Sequence, residues 1–370
     1  MNKKPSFLWP RLLEPPPAAV LLVYLDMNHW IALAKASVGH REGRALAGVL
    51  AACRAARATG VAWFVLSASI YAEMLKIKDP AQRQDLAEVM EELTGFATLI
   101  SRVAVMECEL STMLDPVARL LCPLSNVPLI GRGVRHAFGL SSRISIIDPS
   151  GNATEEIRER MGDSAFDRLM AEVFVKAERS MLRGPADQDE GQALRALGYS
   201  PEGPRGVTEN RAAQERDLKK LLDAESRWRR GRLRDVVSAR ELGIEFQNIL
   251  PRALAERGLV LEDLMTGPES GRVFVRAMPS TEVAIELKTA WHRNGQRDWT
   301  VNDIHDIDAL ALAVPYCDVV VTEKACHHIL KIANLPERLG TAVLHKLTDL
   351  PDVLTERHPK QRVGALATEY

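Results

Sequence analysis

Residues 299–329, WTVNDIHDIDALALAVPYCDVVVTEKACHHI, constrain the fold of this chain more than any other stretch. Asp303, Asp306 and Asp308 fall within six residues, and a small apolar run over 309–314 follows. Asp318-Val-Val-Val-Thr322-Glu323 then has the β-branched composition and short length of a buried strand. Asp306 and Asp308 are expected in or near the first turn of a helix, where the helix dipole tolerates negative charge. That is the plain structural reading of either aspartate. Packing alone explains less well why an acidic helix start should feed a buried strand that ends in Thr-Glu.

The beginning of the chain supplies a counterpart. Leu21-Leu-Val-Tyr-Leu25 is an apolar run that ends at once in Asp26-Met-Asn28. Open α/β sheets hold their ligands beyond the carboxyl ends of parallel strands. Two acidic clusters far apart in sequence, each beside a buried strand, can therefore meet at one sheet edge. Carboxylates brought together repel one another unless a cation neutralises them. Hard oxygen donors with few His or Cys favour Mg²⁺ or Mn²⁺.

In chain order, residues 1–17 read as an irregular, proline-broken arm and 21–25 as the first strand. A helix is expected over 29–36 and another over 41–59, with Gly60 after it as a C-cap. Residues 61–66 (VAWFVL) form a second buried strand, Ser67 an N-cap, and Ile70, Met74 and Ile77 one face of the next helix. Glu73 lies on that helix. It either points to solvent beside Lys76 or serves as a third carboxylate, since a glutamate on an apolar face is costly unless paired or coordinating. A helix over 80–93 and an extended segment over 99–105 complete the first region. The strand–helix alternation predicts βαβ units and a parallel sheet.

The middle breaks that rhythm. It carries charged helical stretches over 154–182 and 208–242, with 187–207 expected as a flexible loop, and is too long for an ordinary βα connection. Residues 227–234 contain five arginines in eight positions. Arg227, Trp228, Arg229, Arg230 and Arg232 read either as phosphate contacts with one stacking ring or as a solvated helix face with i,i+4 pairs. Helices over 281–294 and 324–332, a strand over 318–323, an edge strand over 341–345 and a tail close the chain. The expected architecture is α/β: a three-layer αβα unit with a central, mostly parallel sheet, formed by 18–106 and 281–350. A large, mostly helical insertion over 107–280 interrupts it, and a tail occupies 351–370.

Composition narrows the class. The 370 residues are 46% hydrophobic, enough for a sizeable core, and the formal net charge of −1 gives no global attraction to nucleic acid. Five scattered cysteines without CxxC pairing point to reduced thiols. With no signal-peptide pattern and no apolar run long enough to cross a bilayer, a soluble cytoplasmic protein without membrane partners is expected.

The order of these motifs resembles the PIN-domain ribonucleases, including the toxin nucleases of bacterial toxin–antitoxin pairs. In that family a strand closes on Asp, a small residue and Asn, as in Asp26-Met-Asn28. A Glu follows the second strand, as Glu73 does. A later Asp opens an alanine-rich helix, as in Asp306-Ile-Asp308-Ala-Leu-Ala-Leu-Ala313, and a strand ends in Thr beside an acidic residue, as in Thr322-Glu323. The resemblance covers residues 21–100 and 282–350 and leaves out the middle. It implies an endoribonuclease whose Asp26, Glu73 and Asp306 bind Mg²⁺ or Mn²⁺, with RNA as substrate, an inhibitory partner protein and a homodimer among its associations.

Two departures stand out. The family's acidic position two residues after the strand is Lys324 here, so Glu323 or Asp303 would supply the fourth carboxylate. Asp306 and Asp308 also diverge by about 200° on a helix and cannot both face one site; Asp306 is the better fit, with Asp308 then facing solvent or the helix start. His305 reads as a polar loop residue or a modulator of proton transfer. Two other classes compete. A haloacid-dehalogenase-type phosphatase also starts from a strand-end Asp, but its second acid is Asn28 here. A catalytically degenerate RNA- or protein-binding module is favoured by Lys324.

Overall fold

The computed structural model describes residues 11–119, 125–140, 146–149, 151–185, 188–196 and 202–360. Four short strands, β1 (Leu21–Leu25), β2 (Ala62–Val65), β3 (Val319–Val321) and β4 (Ala342–Leu344), form a parallel sheet in the order β4-β3-β1-β2. The register Val23↔Val319 to Leu25↔Val321 lays β1 beside a strand from the far end of the chain. Every side chain of β1 and β3 is buried. Strands covered on both faces need unbroken apolar runs rather than alternation, and that is what both sequences supply.

Because the strands are parallel, their carboxyl ends share one edge. Asp26 N–H donates to the Val321 carbonyl at 3.0 Å and Thr322 N–H to the Leu344 carbonyl at 2.9 Å, so Asp26 and Thr322 leave the sheet side by side. The helices that matter for this edge are α1 (Met27–Ser37), α2 (Ala68–Met74), α3 (Arg102–Val117), α4 (Glu202–Ala224), α5 (Leu233–Ile244), α6 (Pro279–Arg293) and α7 (Val301–Tyr316). Asp26 caps α1 and Ser67 caps α2. Thr300 and Asp303 form a reciprocal capping box at the start of α7. Helix α6 is buried on most sides, with Val283, Ala284, Leu287 and Trp291 in the core, as a central helix must be.

Several expectations need correction. Residues 99–105 are not one extended segment: a strand covers Ala97–Leu99, and α3 starts at Arg102 because the Ser101 hydroxyl accepts from Ala104 N–H at 3.3 Å. The cap lies inside an apolar run and so disguises the boundary. The N-terminal arm contains a strand, Arg11–Glu14, which pairs in parallel with Ser125–Pro128. Residues 187–207 include a helix, Gln188–Ala196, and the first turn of α4; 187 and 197–201 lie outside the described residues. The expected tail from 351 forms most of a helix, Leu350–Glu356, which buries Leu350 and Leu354; 361–370 are outside the described residues.

The expected boundaries at 106/107 and 280/281 fall inside α3 and α6. Met106, Leu110 and Leu114 of α3 pack with Phe246, Leu250 and Phe274 of the middle. Ile285 of α6 packs with Leu218, Leu222, Val237 and Val275. Shared helices thus tie the middle segment to the sheet-bearing part. Among the described residues, no helix is long and apolar enough to cross a membrane.

Candidate active site

A cleft of about 240 Å³ opens at the carboxyl edge of the sheet and is lined by Asp26, Glu73, Asp306 and Glu323. Lys76, Asn28 and Asn302 complete its polar wall, and Met27, Ile31 and Ile77 form an apolar one. Four elements contribute the acids. Asp26 is fixed as the cap of α1, where its Oδ1 accepts from Met27 N–H at 2.7 Å. Its Oδ2 faces the buried Thr322 hydroxyl, which donates at 3.4 Å. Glu323 follows β3, and its Oε1 accepts from the Asn28 amide at 2.5 Å. Glu73 stands on α2 between the buried Ile70 and Met74. Asp306 comes from the second turn of α7, just beyond the first turn, which Asp303 occupies.

This group is electrostatically unbalanced. Burial pushes the Asp306 carboxyl up to about 8, with Asp26, Glu73 and Glu323 adding to the shift. Burial likewise raises Glu73 to about 7, Asp26 adding and Lys76 opposing. Asp26 is also raised, chiefly by burial, although the Met27 N–H works against it. The Lys76 ammonium donates to Asn302 Oδ1 at 2.8 Å rather than pairing with a carboxylate. Among the described residues, no three His, Cys, Asp or Glu side chains stand close enough to hold one metal ion as placed.

The other candidates fall elsewhere. Asp303 is buried and spent on structure: its Oδ2 accepts from Thr300 N–H at 2.7 Å, and Arg297 holds the other oxygen. Asp308 does not face solvent. Arg211 Nη2 and Arg102 Nη1 each donate to its Oδ1 at 2.9 Å. Burial would raise Asp308, but these guanidiniums hold it well below the usual carboxylate range. Burial lowers the His305 imidazole to about 4, so it stays neutral near pH 7. Lys324 is exposed at the start of the Lys324–Ile332 helix.

The arginine-rich stretch is a short 3₁₀ turn, Ser226–Arg229, and the loop after it. Arg227 pairs with Glu225 at 2.8 Å and lies over the Trp228 ring at 5.1 Å. Arg229 pairs with Asp223 at 2.6 Å, Arg230 donates to Ser226 at 3.2 Å, and Arg232 is 3.6 Å from Asp235. The acids interleaved with the arginines thus engage most of them.

Sequence reasoning missed Lys76 and Asn302 as cleft residues, and missed a second charged cluster behind α7. There Lys288 Nζ lies 2.6 Å from Glu241, 2.9 Å from Glu215 and 3.5 Å from Glu245. Arg240 is 2.8 Å from Glu215, and the His292 ring nitrogen Nε2 is 2.9 Å from the other oxygen of that residue. The signal was present: Lys288 lies on the stretch that carries Ile285, Leu287 and Trp291 into the core, where a charge needs a partner.

Comparison with protein-family models, curated proteins and solved structures finds no match to this chain.

Proposed function

We propose that the chain is a metal-dependent ribonuclease of PIN-like, three-layer arrangement that hydrolyses RNA phosphodiester bonds. The observation that carries the reading is the convergence of Asp26, Glu73, Asp306 and Glu323, from both ends of the sequence, on one cleft at the carboxyl edge of a parallel sheet. Carboxylates that raise one another's pKa are a poor structural device and a good seat for a cation. The donor set is all hard oxygen, the chemistry that Mg²⁺ or Mn²⁺ prefers. Asp26, Glu73 and Asp306 would hold it. Such an ion, when bound, lowers the pKa of a water and stabilises charge developing on the phosphate.

The chain's own groups then have defined tasks. Thr322 orients Asp26 through its hydroxyl, and Asn28 holds Glu323 at the rim. Lys76 supplies the cleft with a positive charge for a phosphate oxygen, and Met27, Ile31 and Ile77 exclude water on one side. A toxin or defence effector restrained by a partner protein is the setting that the same resemblance implies. The test is cleavage of labelled single-stranded and structured RNAs by the purified chain in Mg²⁺ or Mn²⁺. Asp26→Asn and Asp306→Asn reduce cleavage to background. Undiminished cleavage by Asp26→Asn sinks the assignment.

A second reading, a degenerate RNA- or protein-binding module, draws on Lys324 at the family's acidic position and on the spacing of the carboxylates. Mn²⁺ titration separates the two, because a ligand that binds only the folded state raises its melting temperature and a degenerate cleft gives no such rise.

A further inference from the structure

The helix that carries Asp306 into the cleft turns its opposite side to the middle segment. Residues two apart on a helix diverge by about 200°, and α7 uses both directions: Asp306 lines the cleft, and Asp308 meets two arginines. Arg211, on α4, donates through Nη1 to Asp308 Oδ2 at 2.5 Å and through Nη2 to Oδ1 at 2.9 Å. Arg102, on α3, donates to the same Oδ1 at 2.9 Å. A planar guanidinium bound at two points to a carboxylate fixes direction as well as distance.

This clamp is anchored. Arg102 also pairs with Glu241 and Arg211 with Glu245, and both of those carboxylates hold the fully buried Lys288. From the other side, the Ser69 hydroxyl donates to the His305 carbonyl at 3.1 Å, and Ser69 lies one turn before Glu73 on α2. The stretch of α7 that bears Asp306 is therefore gripped between the helix carrying Glu73 and the arginines on α3 and α4.

We propose that Asp308 is a positioning residue for the carboxylate cleft: with Arg211 and Arg102 it sets the rotation of α7, and so the direction in which Asp306 enters. The middle segment is then part of the site rather than an appendage. This inference rests on the reading of the cleft as a seat for a divalent cation. Such a seat tolerates little displacement of its oxygens, and outer groups that orient ligands change metal affinity by ~10–100-fold when removed.

The experiment measures the melting temperature of the full chain against Mn²⁺ concentration, with Mn²⁺ alone as the probe. Asp308→Asn and Arg211→Gln move the half-maximal Mn²⁺ concentration upward by about tenfold or more, and Arg211→Lys, which keeps the charge, recovers part of the loss. Arg257→Gln, which breaks the buried Arg257–Asp115 pair of 2.7 Å, lowers the baseline without moving the Mn²⁺ midpoint. If Asp308→Asn does not fold, Arg211→Gln decides, since Arg102 still pairs with Asp308 there. Lower baselines with unmoved midpoints in both variants overturn the inference alone. A wild-type chain unresponsive to Mn²⁺ overturns the cation reading and this inference with it.

Discussion

Two charged clusters lie on opposite sides of α7 and follow opposite rules. Behind the helix, Arg102, Arg211, Arg240 and Lys288 meet Asp308, Glu215, Glu241 and Glu245, so four positive groups face four negative ones. Every carboxylate there has a cationic partner, and Glu215 is held down to about 2: burial opposes ionisation, but Lys288 and the His292 hydrogen bond outweigh it. In the cleft, Asp26, Glu73, Asp306 and Glu323 share Lys76, and Asp306 and Glu73 are pushed the other way. Balanced burial serves the scaffold; unbalanced burial of like charges persists in a fold when something outside the chain repays it.

The comparison breaks most visibly at Lys288. Removing one member of a buried ion pair costs ~3–5 kcal/mol, because its partners stay buried and unpaired. Lys288→Met leaves Glu241 to Arg102 alone and Glu215 to Arg240 and His292, and lowers stability by the lower end of that range, ~3 kcal/mol, in denaturant titration. A loss under about 1 kcal/mol shows instead that the network is solvated. The opposite sign is expected in the cleft. Asp306→Asn relieves repulsion and raises metal-free stability at pH 8 by about 2 kcal/mol, discounted from its upward pKa shift for partial exposure. The same variant abolishes the stabilisation by Mn²⁺.

These clusters differ also in how far the sequence discloses them. Asp26 and Thr322-Glu323 are readable because a buried parallel strand leaves an unbroken apolar run, and parallel strands deliver their ends to one edge. Ser67 marks the start of α2 and so places Glu73. Asp306 and Asp308 are separable by helix geometry, but the partner of Asp308 is not legible: it sits on α4, nearly a hundred positions away. The balanced cluster draws on five helices, and no local pattern encodes that meeting. Asp303 looks like a spare ligand because a capping box and a metal site use the same residue type.

The pH dependence sharpens the contrast. Asp306 goes from 3.8 to about 8 on folding and Glu73 from 4.5 to about 7. Their folded forms keep protons that the unfolded chain has released, so metal-free stability falls as pH rises through about 4 to 8. Glu215 goes from 4.5 to about 2, so its stabilising contribution is complete above pH 4.5 and lost as pH falls toward 2. Denaturation midpoints in chelator from pH 3 to 8 should therefore peak near pH 4 and decline from there toward pH 8. Asp306→Asn flattens the alkaline side and leaves the acid side in place. A wild-type profile that climbs from pH 5 to 8 refutes the unbalanced cleft.

The smallest effect belongs to the arginine turn, which is neither balanced core nor unbalanced cleft. Arg227 is 74% exposed beside Glu225, and such pairs contribute little to folding. Arg227→Ala together with Arg230→Ala leaves the melting temperature essentially unmoved. A role in holding the strand shows in a different observable: the salt dependence of RNA binding in chelator, where each phosphate that is no longer neutralised reduces the slope by about one. A slope reduced by about two places phosphates on this turn and extends the substrate path from the cleft into the middle segment. An unchanged slope assigns Arg227 and Arg230 to their own neighbours, Glu225 and Ser226, and leaves Lys76 as the cation facing the carboxylates across the cleft among the described residues.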